Sequence, residues 1–152
     1  MTEEFYQQPD EVLRKRKLTE YRGIYLKDFP GDKTIKILDL GCGHGLFLEA
    51  CRRSGYWNYE GVDWDGEAVR YAQNEFGLKN IFKDDIFNFL KSRSDGAYDV
   101  VTAFNIVEHI KKEEIVKVSY NKRQFYDRIL TPMKSMGLVD YDMYKKKYII
   151  SN

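Results

Sequence analysis

Cysteine, histidine, long apolar runs and an excess of either charge are all missing or scarce in this chain. Cys42 and Cys51 are its only cysteines. Their spacing is not the C-x-x-C of a redox or zinc motif, so they read as reduced thiols of a cytosolic protein. His44 and His109 are the only histidines, which confines imidazole acid–base chemistry near neutral pH to two positions. No apolar run approaches the length of a membrane span. Lys and Arg (25) nearly cancel Asp and Glu (24), leaving a formal charge of +1. Global charge therefore calls for neither nucleic acid nor an anionic membrane. The first residues, MTEEFYQQPDE, are polar and acidic, unlike a secretory signal, and the expected location is the cytoplasm.

What the chain does have is enough apolar material for one core: 43% of its 152 residues are hydrophobic and 15% aromatic. That length suits a single domain, here taken as residues 1–152. The organising stretch is Ile35 to Leu48, IKILDLGCGHGLFL. An apolar run (Ile35, Ile37, Leu38, Leu40) predicts a buried strand. It leads into Gly41, Gly43 and Gly45, then into a segment that suits a helix. Such a strand–loop–helix junction turns backbone N–H groups toward a ligand, and alternate glycines clear side chains from its path. The nicotinamide and flavin fingerprint, G-x-G-x-x-G, would need a glycine where Leu46 stands. Asp39, two residues before the first glycine, would repel a pyrophosphate and attract a cation.

The stretch resembles motif I of class I S-adenosylmethionine (SAM) dependent methyltransferases. In that family an acidic residue and the glycines hold the methionine end of SAM. The resemblance assigns this role to Asp39, Gly41, Gly43 and Gly45, with Cys42 counted in the same loop. Asp63 lies about twenty residues further on, where a doubly wound fold sets an acid against ribose hydroxyls, and it matches motif II. Trp64 follows, where the family often has an apolar residue against adenine. After the third strand the family uses an acidic side chain and the next amide for the adenine edge. By position these are Asp85 and Ile86, with Asp84 as the alternative or as a helix cap. Tyr98 to Phe104 resembles motif IV, in which Asp99 is structural. Asn105, Glu108 and His109 then fall beyond a strand's carboxyl end, where ligands bind in such folds.

The elements expected around these motifs alternate strand and helix. A helix from Pro9 to about Lys27 carries an apolar stripe of Leu13, Leu18, Tyr21 and Tyr25, and in the family such a helix covers part of the SAM pocket. Strands are expected at 56–62, 78–83 and 98–104, and helices at 46–54 and 66–76, the second capped by Asp65 and stopped by Gly77. Helices are also expected over 112–118 and 124–136, and a hairpin pairs 138–143 with 147–150. The resemblance implies a three-layer α/β/α Rossmann-like fold with a mostly parallel sheet of 3-2-1-4-5 type and a C-terminal antiparallel hairpin. Residues 1–30 form a helical cap, 35–110 the SAM-binding core, and 111–152 a C-terminal part. That last part lacks the family's Pro-Gly-Gly turn and is one strand and one helix shorter than usual.

Methyl transfer is an in-line displacement that rests on alignment. A hydroxyl acceptor must also lose its proton, for which His109 is the best-suited side chain, with Glu108 beside it. Relatives with a Glu-x-x-Glu-His cluster bind a divalent metal; Asn105 replaces the first glutamate here, so no metal is expected. The chain is most similar to bacterial methyltransferases of polysaccharide and quinone pathways. The leading expectation is thus a methyltransferase that uses SAM, releases S-adenosylhomocysteine and acts on a small-molecule or glycan hydroxyl. A SAM-fold subunit that requires a partner or a second copy is the alternative. The basic run Arg14–Lys17 reads as a solvated helix face rather than an RNA site.

Overall fold

A computed structural model of the chain describes residues 7–94 and 96–104, and two strands at 139–142 and 147–150. Four strands follow the apolar runs: β1 (Ile37–Leu40), β2 (Tyr59–Asp63), β3 (Ile81–Lys83) and β4 (Val100–Thr102). They form one sheet in the order β3-β2-β1-β4, every pair parallel. These are the first four places of the expected order. Central β1 is buried at all four positions, as a strand covered on both faces requires.

The helices are α1 (Glu11–Glu20), α2 (Leu46–Arg53), α3 (Gly66–Phe76) and α4 (Ile86–Lys91). The crossovers through α2 and α3 step the sheet in one direction, so right-handed connections put both helices on one face. Burial agrees with that geometry. Ile37, Tyr59, Ile81 and Val100 share an apolar cluster with Phe47, Leu48, Val69 and Ala72. Side chains alternate along a strand, so Leu38, Leu40, Val62 and Val101, also buried, face the other way. There, Phe82 of β3 meets Phe89 of α4 with ring centroids 5.6 Å apart. Each fully buried Leu or Ile contributes about 1.5–3 kcal/mol by leaving water.

Sequence punctuation explains most of the boundaries. Asp10 caps α1, its carboxylate accepting from the Leu13 amide at 2.7 Å. Asp65 caps α3 through the amides of Glu67 and Ala68, and Gly77 ends it in the left-handed conformation. Both match the expected cap and stop.

Three of the boundaries that differ from the periodicity have a visible cause. The first helix changes its winding, with α1 followed by a π-turn over Tyr21–Tyr25 and a 3-10 turn over Leu26–Asp28. The wider turn carries Tyr21 and Tyr25 onto the same ring, Phe104, at 5.4 and 4.9 Å, and Gly23 lowers the cost of leaving the α-helix. β2 begins at Tyr59 rather than Tyr56, because Tyr56 turns inward, donates its hydroxyl to the Pro30 carbonyl at 2.8 Å and packs on Phe29. β3 begins at Ile81 rather than Leu78, which is buried against the glycine loop instead.

A separate two-stranded sheet pairs β5 (Val139–Asp142) antiparallel with β6 (Lys147–Ile150). The expected helices over 112–118 and 124–136 lie outside the described residues. Among the described residues no helix is long and apolar enough to cross a membrane.

Candidate cofactor site

The site is built where β1, β2 and β3 end. Parallel strands bring their carboxyl ends to one edge, and the loops that follow are joined there by backbone hydrogen bonds. The amides of Gly41 and Cys42 donate to the Val62 carbonyl at 2.8 and 3.1 Å, and the Asp84 amide donates to the Asp63 carbonyl at 3.0 Å. Gly41, Gly43 and Gly45 all have positive φ, at 69°, 51° and 75°.

The last two of these glycines serve different purposes. A Cβ on Gly43 would meet nothing within 4 Å, whereas one on Gly45 would lie 2.8 Å from Ala72 Cβ and 2.9 Å from Leu78 Cδ1. Gly43 therefore leaves open space on the loop, while Gly45 lets α3 and Leu78 press against it. Cys42 turns its thiol inward. A Cβ on Gly61 would sit 3.0 Å from Cys42 Sγ and 2.6 Å from Leu48 Cδ1, so only the Cys42 backbone can face a ligand.

Two carboxylates flank the loop. Asp39 on β1 stands in register with Thr102 on β4 and Gly61 on β2. It is 2% exposed, and the Thr102 hydroxyl donates to its Oδ1 at 2.7 Å. Among the described residues it forms no ion pair with a base. Burial pushes its carboxyl up to about 7; the Thr102 hydrogen bond opposes the shift and nearby Asp63 adds to it. Asp63 ends β2 with both oxygens engaged: Oδ2 accepts from the Gly43 amide at 2.7 Å, and Oδ1 from the Asp65 amide at 2.9 Å. Each oxygen keeps a further lone pair for a ligand hydroxyl.

The remaining sequence-derived residues fall around this pair. Trp64, directly after Asp63, is 66% exposed. Asp85 caps α4, its Oδ1 accepting from the Phe87 and Asn88 amides at 2.9 and 3.1 Å. Asp84 accepts from the Asp85 amide at 2.8 Å. Ile86 opens α4, and its amide is among those with no acceptor inside the helix. Tyr21 comes close enough that Asp39, after burial, is the next cause of its raised hydroxyl pKa. His44 is half-buried, edge-on to Tyr71 at 5.1 Å, and burial lowers its pKa against the pull of Asp65 and Asp63. Asn105, Glu108 and His109 lie outside the described residues. Among the described residues no cluster of His, Cys, Asp and Glu could hold a metal.

Sequence reasoning missed Gly61 and Thr102. Gly61 looked like an ordinary strand residue, and the close approach of Leu48 and Cys42 is a tertiary fact with no local signal. Thr102 could have been found by pairing strands, since the fourth strand of this order must lie beside the first.

The arrangement fits a cationic nucleoside cofactor. It has a buried carboxyl without a basic partner among the described residues, open space over Gly43, and a second carboxylate fixed one crossover later. Comparison with known proteins agrees. A family described as a methyltransferase domain matches residues 12–115, more than half of the chain. The ubiquinone biosynthesis O-methyltransferase of Ralstonia nicotianae is 32% identical over 78 residues, covering 49% of this chain and 32% of that protein. The ribosomal protein L11 methyltransferase of Staphylococcus carnosus is 35% identical over 98 residues, covering 62% of this chain and 30% of that one. Among solved structures, a SAM-dependent methyltransferase from Archaeoglobus fulgidus superposes with a TM-score of 0.60 at 30% identity, over 76% of this chain and 47% of the other. The matched stretch spans about a third of the length of these curated relatives. With its parallel sheet, its glycine loop and its two acids in order, the chain belongs to the class I SAM-dependent methyltransferase family.

Proposed function

We propose that this chain binds SAM at the glycine loop and transfers its methyl group to a hydroxyl of a small-molecule or glycan acceptor. One observation carries the reading: Asp39 is buried without a basic partner among the described residues, beside a glycine whose outer side is open. A buried carboxylate without a counter-charge is costly, and a bound cation offsets that cost. In this reading Asp39 faces the charged methionine end, and the loop backbone from Gly41 through Cys42 to Gly45 lies against it. Asp63 accepts from the ribose hydroxyls. Trp64, Asp85 and the Ile86 amide border the adenine. Bound there, the cofactor supplies an electrophilic methyl group on a sulfonium. The chain's own residues hold it in line and shield it from water.

The acceptor side rests on less. The O-methyltransferase relatives support an oxygen acceptor. In this proposal His109 takes the hydroxyl proton, Glu108 supports it, Asn105 borders the cofactor, and no metal takes part. The C-terminal hairpin belongs to the same domain, and the protein works in the cytoplasm. An RNA acceptor is less well supported: within the basic run Arg14 pairs with Glu75, Lys15 with Glu11 and Lys17 with Glu20, leaving little free positive charge.

The second reading, a subunit that needs a partner or a second copy, draws on β4. Among the described residues it is an edge strand of the four-stranded sheet, and edges invite pairing. Calorimetry of the purified chain with S-adenosylhomocysteine tests the main reading. Saturable binding is expected, weakened at least about tenfold in Asp63→Asn, where one backbone amide loses its acceptor. No binding to the folded wild-type chain overturns it. Turnover by a clean monomer on gel filtration excludes the partner reading.

A further inference from the structure

Tyr71 lies on α3, beside the face that buries Ala68, Val69 and Ala72. It is half-buried and touches two segments far away in sequence. Its hydroxyl donates to the carbonyl of buried Pro9 at 3.4 Å and accepts from Arg14 Nη1 at 3.4 Å. Arg14 also pairs with Glu75, one turn further along α3. On its other side the Tyr71 ring meets the His44 imidazole edge-on, with centroids 5.1 Å apart and planes at 88°.

His44 carries the only side chain between Gly43 and Gly45, two positions with positive φ. Backbone hydrogen bonds hold the two sides of the loop, Gly41 and Cys42 to Val62 and Gly45 to Cys42, whereas Gly43 lies under open space and has no side chain to pack. The Gly43 amide, next to His44, is the one that holds the Asp63 carboxylate at 2.7 Å. A contact that holds the imidazole therefore acts on the amide that sets Asp63.

We propose that Tyr71 is a positioning residue for the cofactor loop. Its ring holds His44, and through it the Gly43 amide and Asp63, while its hydroxyl ties the same point to the N-terminal segment at Pro9 and Arg14. Docking of residues 9–14 and order in the loop then favour each other, and a ligand in the loop protects the N-terminal segment. This rests on the reading of the loop as a cofactor site.

The test uses the full chain with Tyr71→Ala, Tyr71→Phe and, as a core control on the same helix, Val69→Ala. Three things are measured: the His44 ring resonance in ligand-free protein, S-adenosylhomocysteine affinity by calorimetry, and hydrogen exchange of the amides at 10–14. Tyr71→Ala is expected to move the His44 resonance and to weaken binding roughly three- to tenfold, the range of one aromatic edge contact. Tyr71→Phe restores both the resonance and the affinity to within about twofold, yet exchange at 10–14 quickens because the hydroxyl is gone. Val69→Ala lowers stability and leaves affinity unchanged. A wild-type His44 resonance in Tyr71→Ala overturns the proposal, as does an affinity loss that Val69→Ala reproduces. If the wild-type chain binds no S-adenosylhomocysteine, the cofactor reading falls, and the His44 resonance still decides whether Tyr71 positions the loop.

Discussion

Replacing Asp39 by Asn should make the ligand-free protein more stable above neutral pH while it impairs cofactor binding. The Asp39 carboxyl is buried, and its pKa is pushed from 3.8 to about 7 by that burial, with Asp63 adding to the shift. A raised carboxyl pKa means that the folded state keeps a proton the unfolded chain has released. Stability therefore falls as pH rises from about 4 to about 7, and the whole loss is present above that. At about 1.4 kcal/mol per pKa unit, a rise of about three units sets an upper limit of about 4 kcal/mol at pH 8. Asn carries no charge at any pH, and its side-chain oxygen can keep the hydrogen bond from Thr102 Oγ1 to Asp39 Oδ1, now 2.7 Å. The variant should match wild type near pH 4 and exceed it by about 2–4 kcal/mol at pH 8, roughly 5–15 °C in melting temperature for a chain of this size. Urea unfolding followed by far-ultraviolet circular dichroism at several pH values measures this. Tryptophan fluorescence would serve poorly, because Trp57 and Trp64 are already 64% and 66% exposed. Parallel stability curves for the two proteins from pH 4 to 8 would refute the reasoning, and so would a variant less stable than wild type at pH 8. In the proposed reading the expected gain in stability and loss of binding share one cause, a charge kept for a ligand at a cost to the fold.

Four other substitutions separate packing from binding. Gly45→Ala puts a Cβ 2.8 Å from Ala72 Cβ at a φ of 75°, which should cost about 3 kcal/mol and roughly 6–12 °C in a thermal melt. Gly43→Ala meets open space and should cost only about 1–2 kcal/mol of stability, yet calorimetry should detect at least about a tenfold loss of S-adenosylhomocysteine affinity. Glu49→Gln keeps the volume but removes the charge that Arg52 and Arg53 meet at 2.8 and 2.6 Å. Because both arginines are partly exposed and can rehydrate, the cost in urea unfolding should be about 1–2 kcal/mol, with cofactor affinity unchanged. Tyr56→Phe removes the hydroxyl that donates to Pro30 at 2.8 Å and should cost about 1 kcal/mol in the same assay.

The sheet and its loop were legible because their signals are local. The apolar run 35–40 had to be buried on both faces, which predicts a central parallel strand, and β1 is buried throughout. Gly77 and Asp65 mark both ends of α3 through backbone conformation and capping alone. Where two uses compete for one residue, the sequence is silent. Tyr56 reads as strand by its side chain, but burying a phenol needs an acceptor, and the Pro30 carbonyl lies off the strand. Gly41, Gly43 and Gly45 look alike as letters, yet only coordinates separate the one that faces open space from the one that α3 presses upon. The same holds for the acids. Asp39 and Asp63 stand out by spacing, but what distinguishes them from Asp65 and Asp85 is how their oxygens are used. Asp65 and Asp85 spend theirs on helix caps. The Asp63 oxygens each accept one backbone amide from the loops around the site, and Asp39 has Thr102 and no base among the described residues. In the proposed reading these two carboxylates hold the charged and ribose ends of the cofactor, and a ligand of opposite sign would offset the cost of burying Asp39.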